Sequence, residues 1–222
     1  ADVSALIDKK YPSYRQLVSP RPIGLADTQK ALRPGEALLL MTEAANTFHL
    51  FVVTPNAVGW SRPAKEIDVI LKQISDLRCD VDFATCSVAR KAELDALPAT
   101  VKELEGHRRF DIDTAHALYK ELIEPIEPLL KDAKRLYVAS SGKLGDLPLA
   151  MLSATPLPEG ADLADPDAHA RAGWLADRYA FTSLPSVAAL TLPREARTAG
   201  RDKSFRGYGA PVLLGGDTGS RA

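Results

Sequence analysis

The sequence predicts an α/β fold organised around a parallel sheet. Its clearest unit begins at Leu136–Ala139, an apolar run with the length and β-favouring composition of a buried strand. The run ends at Ser140–Gly142, a turn signal, and Leu147–Leu152 then has the pattern of an apolar helix with Pro148 in its first turn. A strand, a glycine-containing turn and a helix in this order are typical of α/β proteins.

The same pattern recurs further along the chain. Tyr179–Ser183 is a second strand, and Pro185-Ser186 opens a second helix. A third strand lies within Arg206–Leu214, so we predict parallel strands joined by right-handed crossovers. A parallel sheet of so few strands would be small and would leave an exposed edge. We therefore expect further polypeptide to complete this sheet.

Short strands and turns precede the parallel part. Ala37–Met41, Phe48–Val53 and Ala57–Ser61 are separated by turns of a few residues, which predicts an antiparallel meander. Before the meander, residues 4–19 carry a helical apolar stripe, and Asp27–Leu32 is a further helical turn. The stripe comprises Leu6, Ile7, Tyr11, Tyr14, Leu17 and Val18.

Two amphipathic helices are predicted between the meander and the parallel part. The first covers Pro63–Asp82, with Pro63 near its start, and the second is capped by Asp111 or Asp113. The stretch 83–109 is a loop or a broken helix. The predicted organisation is a helical lead-in at 1–34 and one domain at 35–222, containing the meander at 36–62, helices at 63–130 and the parallel part at 134–214.

Composition excludes several classes of function. The net charge is −1, with 45% hydrophobic and 26% charged residues, which is ordinary for a globular protein and gives no electrostatic basis for binding nucleic acid or an anionic membrane. No stretch has the roughly 18 apolar residues of a membrane span, and the amino terminus does not resemble a signal peptide. We expect a cytoplasmic protein.

The two cysteines, Cys79 and Cys86, have six residues between them and no histidine at ligand spacing, so a zinc site is not predicted. Two cysteines imply no disulfide framework, and a reducing compartment is the expectation. We interpret them as small residues at a helix end and in a loop.

Familiar catalytic and nucleotide-binding motifs fail on spacing. Ser141-Gly142-Lys143 lacks the first glycine and the final hydroxyl residue of a P-loop, and Gly207-x-Gly209 lacks a third glycine. The tetrad Asp217–Ser220 occurs in aspartic proteases, but only two residues follow it here. No Gly-x-Ser-x-Gly elbow is present. The sequence therefore predicts no cofactor.

The sequence does not indicate a catalytic cysteine–histidine pair. Such catalysis needs a thiolate and a base within hydrogen-bond reach. His49 lies between apolar neighbours on a predicted strand, and nothing in the sequence places His107, His116 or His169 beside either cysteine. We therefore name no catalytic or metal-binding residue.

The order of these segments and several of their sequence motifs resemble the CHAT domain family, which consists of caspase-like modules that often follow tetratricopeptide repeats. The resemblance covers residues 11–186. Its phrases are Tyr11-Pro12-x-Tyr14, Gln29-x-x-Leu32-x-Pro34-Gly35-Glu36-Ala37-Leu38-Leu39, Leu118-Tyr119-x-x-Leu122-Ile123-x-Pro125-Ile126, Arg135-Leu136-Tyr137-Val138 with Gly142-x-Leu144-x-x-Leu147-Pro148-Leu149-Ala150-x-Leu152, and Leu175-Ala176-Asp177-Arg178-Tyr179-Ala180 with Leu184-Pro185-Ser186.

The resemblance implies a caspase-like α/β fold, a mostly parallel sheet flanked by helices and preceded here by the meander. Peptidases of the family use a His and a Cys beyond the segment that corresponds to Gly207–Leu214, and this sequence has neither residue type after His169. The expectation is thus the non-catalytic front portion of such a domain from a larger bacterial protein. Its expected partners are the missing carboxyl-terminal half or another protein, with helical repeats upstream.

Two other classes of function remain open from the sequence. One is a protein-interaction or scaffold module of a bacterial signalling protein, because the predicted sheet has an exposed edge. The other is an unrelated α/β enzyme with an anion site at Ser140–Gly142, the turn after the central strand.

Overall fold

The computed structural model describes residues 22–96, 110–157 and 170–191. These residues form an α/β fold with one mixed sheet of five strands in the order β3-β2-β1-β4-β5. The predicted elements at 4–19 and 206–214 lie outside the described residues, and so does 97–109, the second part of the stretch 83–109. The strands are β1 (Glu36–Ala44), β2 (Thr47–Val53), β3 (Val58–Ser61), β4 (Arg135–Ser140) and β5 (Ala180–Leu184). The α-helices are α1 (Leu25–Ala31), α2 (Ile67–Val81), α3 (Val88–Asp95), α4 (Ile112–Leu122) and α5 (Leu175–Arg178).

The antiparallel meander is confirmed. β1 pairs with β2 and β2 with β3, both antiparallel. The first connection is a two-residue turn, Ala45-Asn46, in which both residues have positive φ (51° and 57°). This is the backbone of a type I′ turn, whose twist matches that of the strands it joins.

The relation of the meander to the parallel strands differs from the prediction. β1 pairs antiparallel with β2 on one side and parallel with β4 on the other, and β4 pairs parallel with β5. The meander is therefore part of the same sheet, which is mixed in the described residues where a mostly parallel one was predicted. The cause is β1 itself: Ala37, Leu38 and Leu39 are consecutive and all buried, so both faces of this strand need cover, as in a central strand.

The two faces of the sheet differ in size and cover. On one face, a large core holds residues such as Leu39, Phe48 and Val138 against α2 and α4. On the other face, a smaller cluster around Leu38 and Tyr137 packs with residues of α1 and of a short 3₁₀ helix at Val187–Thr191. The helices therefore lie mainly on one side.

The ends of the two predicted helices are partly corrected. Asp111 is the cap of α4, because its Oδ1 accepts a hydrogen bond from the Thr114 amide at 2.9 Å. α2 begins at Ile67 instead of Pro63. The carboxylate of Glu121 accepts hydrogen bonds from the amides of Ala64 and Lys65. These two amides therefore have a hydrogen-bond partner without being part of α2.

The helix predicted after β4 is also corrected. Two 3₁₀ helices, Gly142–Asp146 and Leu149–Met151, take its place. Pro148 between them has φ −78° and ψ 76°, outside the helical region, and lacks the amide that would continue the hydrogen-bond ladder. The helix predicted at Pro185-Ser186 is likewise a 3₁₀ helix as far as it is described.

Candidate functional site at the carboxyl ends of the parallel strands

β1, β4 and β5 run in one direction, so their carboxyl ends meet at one edge of the sheet. This edge is where ligands usually bind in open α/β sheets. Ser140 ends β4 here, Ser141 follows it, and both are exposed. The Ser141 amide donates to the Met41 carbonyl at 3.1 Å, which ties the turn to the end of β1. The edge is therefore the first place to look for a site.

The serine–glycine turn has a carboxylate beside it. Gly142 has φ +61°, and Oε2 of Glu43 lies 3.5 Å from the position that a Cβ at Gly142 would take. A negative charge at this distance opposes a bound anion. The 3₁₀ helix that starts at Gly142 spans only five residues, which is too short to present a helix dipole. The anion site at Ser140–Gly142 stays a prediction, and an anion bound there would lie beside the Glu43 carboxylate.

The two cysteines form a disulfide, so the prediction of unpaired cysteines is wrong. Cys79 lies in the last turn of α2, and Cys86 follows the 3₁₀ helix Phe83–Thr85, with 4.5 Å between the two Cα atoms. The chain reverses at Asp82, whose Oδ1 accepts from the Ala84 amide at 3.0 Å. Sequence spacing alone does not reveal this reversal. The expectation of a reducing compartment rested on unpaired thiols and loses that basis.

The disulfide decides what the cysteines can do chemically. The whole sequence contains two cysteines, and both are in this bond. Their side chains are buried, at 1% and 7% exposure. Because a nucleophile must be a free thiolate, neither sulfur can attack a carbonyl while the bond is intact.

The described histidines have packing partners away from the disulfide. Nδ1 of His116 lies 3.0 Å from the Ser153 carbonyl, and its ring stacks on Tyr119. His49 is half-buried on β2, with its ring centroid 6.5 Å from that of Phe51 and 6.3 Å from that of Trp60. His107 and His169 lie outside the described residues. Within the described ranges, no three His, Cys, Asp or Glu side chains form a group that could hold a metal ion.

A charged cleft of about 840 Å³ lies at the opposite, amino-terminal edge of the sheet, beside Lys134 and Tyr179. Glu127 is its central group: it accepts a hydrogen bond from the Tyr119 hydroxyl and pairs with Arg178, both at 2.5 Å. Burial, and then the hydrogen bond to Glu127, raise the pKa of Tyr119 to about 12. Burial and the Glu127 charge also raise the pKa of Tyr179. We interpret this cluster as structural, because it lies at the edge where ligands seldom bind.

The raised pKa of Tyr119 predicts a loss of stability in alkali. Tyr119 holds its proton more tightly in the folded chain than the ordinary value of 10.0 implies. The stabilisation is complete below pH 10 and disappears as the pH rises to about 12. We expect about 1–2 kcal/mol to be lost across this window. Urea unfolding at several pH values measures it, and Tyr119→Phe should flatten the profile; an equally steep profile in this variant would contradict the assignment.

In the part of the chain that the structure describes, no helix has both the length and the apolar character needed to cross a membrane.

The structural class of the protein is an α/β domain with a mixed five-stranded sheet and a serine–glycine turn at the carboxyl end of β4. Comparison with protein families then supplies the family. Residues 113–221 match the model of the CHAT domain family, which is consistent with a partial CHAT domain in this part of the chain. The match begins in α4 and includes β4 and β5. Comparisons with curated proteins and with solved structures find no match.

Proposed function

We propose that this chain forms the non-catalytic front portion of a caspase-like CHAT domain. The family match and the parallel pairing of β1, β4 and β5 support a sheet of this type. β4 has four consecutive buried residues, Leu136–Ala139, as a strand covered on both faces requires. The family's peptidases carry their His and Cys further along, so the contribution of this chain is the framework that supports them.

One observation carries the non-catalytic assignment: both cysteines of the sequence are joined in a buried disulfide. Cysteine peptidases attack the peptide carbonyl with a thiolate while a histidine carries the proton. With the disulfide intact, this chain has no such nucleophile. Reduction would release two thiols, but His49 and His116 have no hydrogen bond to either sulfur.

The experiment is a peptidase assay on the 222-residue chain with a library of peptide substrates and a thiol-reactive probe. We expect no turnover, and no labelling by the probe unless a reductant is added. Turnover that Cys79→Ala or Cys86→Ala abolishes would refute the proposal. A chain unfolded by urea without reductant should also stay unlabelled, which checks that the probe reports the bond and not burial.

A scaffold role is the second candidate, because of an exposed aromatic surface. Val58 and Trp60 on β3 are 51% and 64% exposed, and Phe51 and His49 lie beside them on β2. β5 also has a free side among the described strands. Apolar surface and open strand edges both favour protein partners, which here include the rest of the domain. Light scattering on the same sample discriminates, since a strictly monomeric chain argues against self-association through this surface.

A further inference from the structure

A crevice of about 330 Å³ lies beside the serine–glycine turn, between α2 and the 3₁₀ helix Gly142–Asp146. Lys143 and Asp146 of that 3₁₀ helix bring the crevice to the carboxyl edge of the sheet, and Glu43 is not among its lining residues. Its volume is at the lower end for ligand sites, and is large enough for one amino-acid side chain. Sequence motifs did not indicate it, because its walls come from three separate segments.

Two cations face this crevice. Arg78 projects from the last turn of α2, and Lys143 lies in the 3₁₀ helix after β4. Neither forms an ion pair with the residues that the structure describes. The dipole of α2 favours a cation at the Arg78 position, but no helix terminus of comparable length explains Lys143. Two cations that line one crevice and form no ion pair within the described residues point to an anion supplied from outside.

A single acid, Asp146, also lines the crevice. With Arg78 and Lys143 the ionic charge of the lining is therefore +1. This charge matches a monoanion, such as a carboxylate, better than a phosphate, which carries about −1.5 to −2 at neutral pH.

The rest of the lining is apolar or hydroxylic. Leu71 and Ile74 present aliphatic surface, and Ser75 adds a hydroxyl. Thr85 donates its hydroxyl proton to the Asp82 carbonyl at 2.6 Å, and its oxygen can still accept. Aliphatic walls beside paired cations suit an acidic group on a short hydrocarbon stem.

We propose that this crevice binds the side chain of a glutamate from a polypeptide segment, with its carboxylate between Arg78 and Lys143 and its methylene groups against Leu71 and Ile74. The disulfide supports the site, because Thr85 belongs to the turn that Cys79 and Cys86 close. Binding involves no chemical step and does not depend on the catalytic status of the chain.

The test is an NMR titration of the isotope-labelled chain with a blocked pentapeptide whose only charge is a central glutamate. We expect shifts at the amides of Ser75, Thr85 and Lys143, and at least about fivefold weaker binding of the same peptide with glutamine. Arg78→Met and Lys143→Met should each weaken binding of the glutamate peptide about tenfold, since charge-assisted hydrogen bonds are the strong ones. Asp146→Asn should strengthen it. Inorganic phosphate forms a separate arm and should bind more weakly than the glutamate peptide.

Lys72→Met is the matched control. It removes the same charge from the same helix, but Lys72 pairs with Asp76 at 2.7 Å and does not line the crevice. Equal binding of the two peptides, tighter binding of phosphate, or an equal loss in Lys72→Met would each overturn the proposal. The amide spectrum of every variant reports whether it is folded, and Lys143 is exposed, so at least Lys143→Met provides a folded test.

Discussion

Replacing Phe48 with alanine is expected to lower the free energy of unfolding by about 3–5 kcal/mol, the usual cost of removing a buried phenylalanine. Phe48 lies on β2, is 1% exposed and is one of the largest side chains in the core between the sheet and the helices. The loss combines the transfer free energy of the ring with a cavity that the surrounding helices fill only in part. Urea unfolding monitored by circular dichroism measures it.

Phe51→Ala is the control for this prediction. Phe51 lies on the same strand three residues later, but it is half-buried and faces the other side of the sheet. Because less apolar surface returns to water, its loss should be about 1 kcal/mol. Comparable losses in the two variants would show that the helices do not cover the Phe48 face as described.

Removing the disulfide is expected to have the second large effect. Cys79→Ser with Cys86→Ser releases a short closed loop, and the chain-entropy relation for about eight residues gives roughly 2.5 kcal/mol. Because α3 has no fully buried residue, little else holds the segment after α2. Hydrogen exchange should therefore increase first at residues 83–95, before the sheet is affected.

A reductant provides the matched comparison. The native chain in dithiothreitol should lose the same stability as the double variant, whereas the double variant should be insensitive to the reagent. A native chain that keeps its full stability in dithiothreitol, with its thiols shown to be free, would mean that packing and not the bond holds this segment.

Local signals in the sequence predicted most elements correctly. Apolar runs between turn residues predict the strands of the meander, β4 and β5. The sequence also limits the N-cap of α4 to Asp111 or Asp113, and Asp111 is the cap in the structure. Errors occurred where the outcome depends on contacts distant in sequence. The amides of Ala64 and Lys65 bond to Glu121, so α2 starts late, and no pattern near residue 63 contains this information.

The candidate site was less predictable than the fold. The serine–glycine turn was found from sequence, but the carboxylate of Glu43 beside it comes from another strand. The crevice with Arg78 and Lys143 combines α2, the disulfide-closed turn and the 3₁₀ helix Gly142–Asp146. Because packing brings these residues together from separate segments, they have no regular spacing in the sequence that could reveal the site.

By itself, the sequence determined which of the described segments are strands, the approximate positions of α2 and α4, the family that they resemble, and the absence of any cysteine after Cys86. These properties depend on residue type, period and turn chemistry, which are local. Only the tertiary structure decided that β1 joins the meander to the parallel strands, that Cys79 and Cys86 are bonded, and which charges meet at the carboxyl edge. The physical reason is that these outcomes depend on distances between segments, and such distances are fixed when buried faces pack together.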